Sequence, residues 1–472
     1  MIDGYAQNPS VVPGDRLELR VSTAARAFRV ELFRWGREVV RRGGTPWLQG
    51  RHAPHHLPYQ DWGRDDVALD GRDLPAWAAY DVPIPLDWPS GPYVAVLIEG
   101  DGDGRDLDPR AAPRSVDARH GRALFVVRSA RPGTDTSILY KLPLLTYHAY
   151  NRVTERGYDP VTGCGGWSLY TIPEPHALPP DVPRAVSVRR PGGGTGGTPS
   201  DWWSRDPFDP TPRQTFVHWD AWAVAWLEAS GYRADYCADL DLHEDGAAGL
   251  LAPYRLLLGF GHDEYWSAPM RSNVERFVRG GGNAAFFGGN TCWWEVAFDE
   301  PFAFRRAGLW SDAARPGGPE NDLTGVSFRN GGERPPSARP EPVGFRVQHA
   351  DHWVYAGTGL RDGDVFGAGE DEHLVGYECD GAHFDRHGLR AGGPVRPSGE
   401  DGTPEDFAIL GVGDVGARGW GEGNRAATLG VHAPGGTVFT ASTTDWPRVL
   451  AGGSAAVAQI TRNVLDRLSV PL

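Results

Sequence analysis

Arg255-Leu256-Leu257-Leu258-Gly259-Phe260, running on into Gly261-His262-Asp263-Glu264-Tyr265-Trp266-Ser267, is the stretch whose reading decides the fold. An apolar run of strand length passes through a glycine-punctuated turn to Ser267, a good helix N-cap. A helix is predicted from there to Arg279, with Val274, Phe277 and Val278 on one face and Gly280-Gly281-Gly282 as its stop. Asn283-Ala284-Ala285-Phe286-Phe287 reads as the next strand. Strand, helix and strand in succession predict an α/β domain with a mostly parallel sheet and helices on both faces. Ligands of such sheets bind beyond the carboxyl ends of the strands, where His262, Asp263 and Glu264 stand.

The same alternation extends outward. Residues 137–145 read as a buried strand. Residues 219–230 read as a helix with Trp222, Ala225, Trp226 and Ala229 at helical spacing and Gly231 as its C-cap. Residues 234–240 predict another strand, 437–440 a late one, and 455–468 a closing helix. The Gly- and Pro-rich stretch 300–431 predicts irregular excursions around the site. Toward the N-terminus the character changes. Residues 16–21 and 28–35 alternate with period two, and 93–98 and 123–127 are short apolar runs between turn clusters. That pattern predicts an antiparallel, immunoglobulin-like β-sandwich. With 129–136 as linker, the expected domains are 1–130 and 131–472.

Composition narrows the partners. The 472 residues suit two or three domains, and the 18 Trp and 63 Gly point to a turn-rich mixed fold. A net charge of −14 argues against nucleic acid or an electrostatic membrane anchor. No apolar run reaches transmembrane length, and Met1-Ile2-Asp3-Gly4-Tyr5 has no signal-peptide pattern. Cys164, Cys237, Cys292 and Cys379 are scattered, so a reducing cytoplasm is expected. Lys141 is the sole lysine, which reads first as coding bias.

Several segments can carry chemistry. His262 with Glu264 at a strand end suits metal ligation or acid–base work, whereas Asp263 reads as a structural cap. Asn290, in Gly288-Gly289-Asn290-Thr291-Cys292-Trp293-Trp294, is either an amide placed to polarise a carbonyl or a turn asparagine. The tyrosines of Thr146-Tyr147-His148-Ala149-Tyr150-Asn151 and Gly165-Gly166-Trp167-Ser168-Leu169-Tyr170 are, taken singly, packing residues. Asp239-Leu240-Asp241-Leu242-His243 reads as a loop tie ahead of a metal cluster, and His52, His55 and His56 as a surface loop. Glu378 and Asp380, in Gly376-Tyr377-Glu378-Cys379-Asp380-Gly381, are either a base or a solvated turn. The glycines of 192–197 lack the Lys-Ser/Thr of a phosphate loop. Cys292 lies in no nucleophile-elbow sequence, so no thiol mechanism is expected.

Together these segments resemble the N,N-dimethylformamidase large-subunit family. The resemblance is carried by Gly261 to Ser267, the two tyrosine motifs, Ser187-Val188-Arg189-Arg190-Pro191, Asp239 to His243, Phe286 to Trp294, Thr444-Asp445-Trp446 and Ile460 to Leu465. It implies a fold like class I glutamine amidotransferases without their cysteine nucleophile. It also implies a mononuclear iron, Fe(III), held by Tyr150, Tyr170 and Glu264, with Tyr147 a competitor of Tyr150. His262 and Asn290 occupy active-site positions of the family, and Glu378 is an added candidate base. The implied reaction is cleavage of the C–N bond of a small amide or formamide by metal-activated water. His262 would pass a proton to the leaving amine and Asn290 would hold the oxyanion. A small partner subunit or a homo-oligomer fits the resemblance. The competing readings are a hydrolase of a different C–N bond and a non-catalytic, Trp-lined carbohydrate-binding or scaffold protein.

Overall fold

The computed structural model describes residues 2–53, 77–100, 120–151, 168–170, 185–195, 206, 208–209, 211–244, 247–300, 302–312, 317–335, 341–385, 388, 393–420 and 425–470. The expectations placed on His55, His56, Cys164, 165–167 and 196–197 lie outside them. The chain divides into two compact units. The first holds Met1–Arg131, Leu144–Asp241 and Val296–Ala307. The second holds Pro132–Pro143, Leu242–Glu295 and Gly308–Leu472.

In the first unit, period-two patterning builds two sheets over one apolar core. One sheet pairs Arg16–Thr23 antiparallel with both Ile2–Ala6 and Ala78–Pro83. The other runs in the order Ser10–Val11, His120–Val127, Gly91–Glu99, Ala27–Trp35 and Val39–Gly44. Its pairings are antiparallel except the first, which is parallel. Leu17, Leu19 and Val21 from one sheet meet Phe28, Val30, Leu32, Tyr93, Ala95 and Leu97 from the other in a single buried cluster. These alternate residues share a face because strand side chains alternate sides. Trp88 stacks on Tyr93 at 4.9 Å and closes the core.

Two expectations about single elements are revised. The buried run at 137–145 is a strand only over Ile138–Leu142; Leu144–Tyr150 is helical, Pro143 marking the change. The helix Asp220–Ala229 forms as expected, with Gly231 left-handed behind it. It buries Ala221, Ala223, Val224 and Leu227, not the face read from Trp222, which is 38% exposed. A helix with apolar residues all round leaves its buried face to the fit of the smaller side chains.

In the second unit the main sheet runs Ile138–Leu142, Leu256–His262, Asn283–Gly289, Val438–Thr440, Ala427–His432, Ala408–Gly413, Phe345–Val347, Val365–Phe366. The first three pairings are parallel and the remaining four antiparallel. The sheet is therefore mixed, not mostly parallel. The stretch 300–431 supplies many of its antiparallel strands rather than excursions alone. Tyr140, Phe260, Phe287 and Phe439 form an aromatic row across the parallel strands, with centroids 5.8, 4.8 and 5.0 Å apart. The helix Ala268–Arg279 starts where expected, Ser267 Oγ accepting from Met270 N at 3.3 Å. The closing helix is Ala455–Leu468. No helix among the described residues is long and apolar enough to cross a membrane.

The sole lysine sits under this sheet's mouth. Lys141 Nζ meets Asp263 Oδ1 at 2.7 Å and lies 4.6 Å from the Trp266 ring centroid. Trp266 Nε1 donates to the backbone oxygen of Asp263 at 3.0 Å. The pair is buried, so removing one partner strands the other charge in a poor solvent. Lys141→Met is expected to lower stability by about 3–5 kcal/mol, and Lys141→Met with Asp263→Asn to recover part of it. Urea unfolding of the single and the double variant beside the wild type checks this; a loss below about 1 kcal/mol would rank the pair with exposed ones.

Candidate functional site

The strand Leu256–His262 ends on a fully buried imidazole. Gly261 precedes it with φ +69°, a left-handed turn that a side chain would strain. The chain then doubles back. Asp263 O accepts from Cys292 N, and Glu264 O from Trp294 N, each at 2.9 Å. These bonds fix the turn after one parallel strand against the turn after the next. His262 and Glu264 are thereby held on a rigid frame.

The strand Glu378–Gly381 brings the remaining groups. Glu378 Oε2 lies 2.9 Å from His262 Nε2, and Glu264 Oε2 lies 3.5 Å from the same atom. Asn290 Nδ2 donates to Glu378 Oε2 at 3.1 Å and stands 3.4 Å from His262 Nε2. His262, Glu264, Asn290 and Glu378 are all buried. Burial alone would pull the imidazole pKa down, but the Glu378 carboxylate, with Glu264 and Asp263 behind it, holds it above the usual histidine value. Burial pushes Glu378 up, and His262, Asn290 and Tyr377 outweigh that, leaving it below the usual carboxylate value.

This close approach depends on a missing side chain. A Cβ at Gly289 would stand 2.8 Å from Glu378 O and 2.8 Å from Thr444 N. Glu378 O accepts from that same Thr444 N, and Tyr377 N donates to Asp445 Oδ2 at 2.9 Å. The Thr444-Asp445 motif thus anchors the strand that carries Glu378.

Asp380 lies two residues on, on the same side of that strand. Its Oδ1 accepts from Asn290 N at 2.9 Å and its Oδ2 from Thr291 N at 3.1 Å. Asn290 and Cys292 both have left-handed backbones, at φ +52° and +60°. The buried carboxyl grips the turn that aims the Asn290 amide. Burial pushes Asp380 up to about 8 despite the two amide donors. Asn290 Oδ1 finds no hydrogen-bond partner among the described residues.

The tyrosines belong to the first unit. Tyr150 closes the helix Leu144–Tyr150, and Leu169 N donates to Ala149 O at 2.9 Å, tying the second motif to that helix. The Tyr150 and Tyr170 hydroxyls are 2.8 Å apart and their rings stack at 4.3 Å. The Arg306 guanidinium lies 4.2 Å from the Tyr170 ring centroid. Tyr147 is fully buried, its hydroxyl hydrogen-bonded to Asp220. The structure therefore pairs Tyr150, not Tyr147, with Tyr170. The two hydroxyls share a hydrogen bond, and as paired phenol oxygens they are donors of the kind that would suit a hard cation. Glu264 belongs to the second unit. Among the described residues no group of three or more His, Cys, Asp and Glu is placed to hold a metal.

Other candidates resolve as ties. Asp239 Oδ2 accepts from Leu145 N at 2.8 Å. Asp241 Oδ2 accepts from Ser10 Oγ at 2.6 Å and from Ala238 N at 2.8 Å. Cys237, Cys292 and Cys379 are buried, and burial pushes the Cys292 and Cys379 thiols well up. Glu378 and Asp380 are buried on a strand, so the solvated-turn alternative falls. The signal in the sequence was the alternation Tyr377-Glu378-Cys379-Asp380, which reads as a strand with both acids on one side. The clamping role of Asp380 had no signal of its own.

The profile of a family described as N,N-dimethylformamidase beta subunit-like, C-terminal, matches residues 29–459. No curated protein matches the chain. A solved ThuA-like protein from Parabacteroides merdae is similar over 50% of this chain and 82% of its own, with 13% identity and a TM-score of 0.26.

The clamp makes a test. Asp380→Ala strands the N–H groups of Asn290 and Thr291, at about 1–3 kcal/mol each. Gly289→Ala forces Glu378 away from His262. Both variants are expected to lose site function while keeping secondary structure, with Asp380→Ala also less stable. Circular dichroism and unfolding midpoints, read beside activity, check this; full activity in Asp380→Ala would remove the clamp from the site.

Proposed function

The chain belongs to the N,N-dimethylformamidase beta subunit-like family, and from that premise we propose that it is an amidohydrolase cleaving the C–N bond of a small linear amide or formamide. The observation that carries the reading is the buried contact of His262 Nε2 with Glu378 Oε2, with Glu264 and Asn290 beside it. Amide hydrolysis needs a proton delivered to a poor leaving group, the amine nitrogen. His262, held protonated by Glu378, is the donor in this reading. Glu378 orients the ring and balances the charge while the proton is held. The close, desolvated setting makes each of these interactions stronger than in water.

An iron ion is part of the proposal. Tyr150, Tyr170 and Glu264 would hold it, as hard oxygen donors suited to Fe(III). When bound, such an ion would acidify water and polarise the amide carbonyl. The 2.8 Å spacing of the two phenol oxygens supports this donor set. The parallel strands Ile138–Leu142, Leu256–His262, Asn283–Gly289 and Val438–Thr440 support a core like that of class I glutamine amidotransferases. The buried thiols of Cys292 and Cys379 support a cytoplasmic setting. Trp77, Trp219, Trp266 and Trp446 are fully buried, which favours a hydrolase over a Trp-lined sugar binder.

Glu264→Ala is expected to lose metal and turnover together. His262→Ala is expected to keep metal and lose about 10²–10⁴ in turnover, the usual worth of general acid–base catalysis. Elemental analysis of protein purified without added metal, beside hydrolysis of a panel of formamides and larger amides, separates the two. Normal turnover in His262→Ala would remove the histidine from the mechanism.

A further inference from the structure

The stack at Tyr170 has a third layer. The Tyr150 ring covers one face of the Tyr170 ring, with centroids 4.3 Å apart and planes 17° from parallel. The Arg306 guanidinium carbon lies 4.2 Å from the Tyr170 centroid, in cation–π contact. With one face taken by a ring at that distance, the guanidinium has the other. Arg306 is carried on the strand Ala303–Leu309, whose residues Ala303, Phe304 and Arg305 pair antiparallel with Ala185–Ser187. Phe304 is fully buried, so the strand is a fixed mount. Tyr150, Tyr170 and Arg306 all belong to the first unit. An arginine side chain stays charged, and its plane matches an aromatic face. A neutral phenol offers such a cation only the weak attraction of its ring quadrupole. A phenolate ligand adds negative charge, and there the guanidinium competes for the electrons that the ligand would donate.

We propose that Arg306 is a positioning residue of the Tyr150–Tyr170 pair: it fixes the Tyr170 ring and, by its charge, makes Tyr170 a weaker donor to a hard trivalent cation. The inference rests on the iron-binding reading of the two phenols and adds a residue outside the ligand set. A weaker donor leaves more positive charge on a bound cation to polarise an amide carbonyl. The stack matters as well. A Tyr170 side chain that swung out of it would carry its oxygen away from that of Tyr150, 2.8 Å off, and the guanidinium holds the ring in.

The test is the visible absorption of the full chain loaded with Fe(III), read beside its iron content by elemental analysis. Bound tyrosinate gives a charge-transfer band in which an electron passes from phenolate to metal. A cation beside the phenolate holds that electron and raises the energy of the band. Arg306→Gln is therefore expected to keep iron and to move the band about 10–30 nm to longer wavelength, the scale set by one unit charge a few ångström away. Arg306→Lys, which keeps the charge, is expected to bring the band back toward its wild-type position. Loss of iron from Arg306→Gln that Arg306→Lys restores supports the inference too. An unmoved band in Arg306→Gln overturns it. So does an equal shift in both variants, or loss of iron from both, since a charge on the ring would then not be what the pair needs. Each of these failures beside a normal wild-type band leaves the iron reading standing. A colourless wild type that takes up no iron sinks that reading, and this inference with it.

Discussion

A fully buried imidazole survives in a protein interior only where something offsets the water it has lost. At His262 that something is the carboxylate of Glu378, 2.9 Å from Nε2. Each partner alone would be pushed toward its neutral form by burial, and each shifts the other back toward its charged form. Much of the local architecture follows from keeping these two groups in contact. The strand Glu378–Gly381 must run close to the end of Asn283–Gly289, which is why Gly289 has no room for a side chain. Thr444 and Asp445 fasten the backbone around Glu378. Asp380 then pins the Asn290 turn from the same strand.

The acidic residues around the site divide by length. Aspartates hold backbone or fixed charges: Asp263 takes Lys141, Asp380 takes two consecutive N–H groups, and Asp445 takes Tyr377 N and Arg448. The glutamates, one methylene longer, extend to the imidazole. A short carboxylate beside its own backbone suits turns and caps. A longer one leaves its backbone free for the strand ladder while its head lies among other side chains. The frame and the reacting groups are thus built from the same chemistry at two lengths.

Legibility in the sequence tracked how local the determining contacts are. The segment 255–279 was read closely because a strand, a capped helix and a glycine stop lie in sequence order. Among the N-terminal strands, 16–21 and 28–35 are legible from alternation, whereas 93–98, buried on both faces, shows as an apolar run. The stretch 300–431 resisted because its strands are short and glycine-rich, and two pairings shift register, between Ser327 and Gly332 and between Ile409 and Gly411. Such shifts break the period on which strand reading depends. Glu378 stayed ambiguous because its burial is set by partners far away in the chain. The helix at 220–229 misled for the opposite reason: it had too many apolar residues for the sequence to say which side faces the core.

The two tyrosines of the first motif show what geometry adds to a resemblance. Tyr147 and Tyr150 stand three residues apart on one short helix, close enough in the chain that a motif match alone does not choose between them. Their surroundings do. The Tyr147 hydroxyl is committed to Asp220 in a fully buried setting, where giving up that hydrogen bond is costly. The Tyr150 hydroxyl is instead turned to another phenol, with stacked rings setting the spacing. Tyr150 is thus the tyrosine of the first motif that meets Tyr170, and Tyr147 ties the helix that carries both to Asp220.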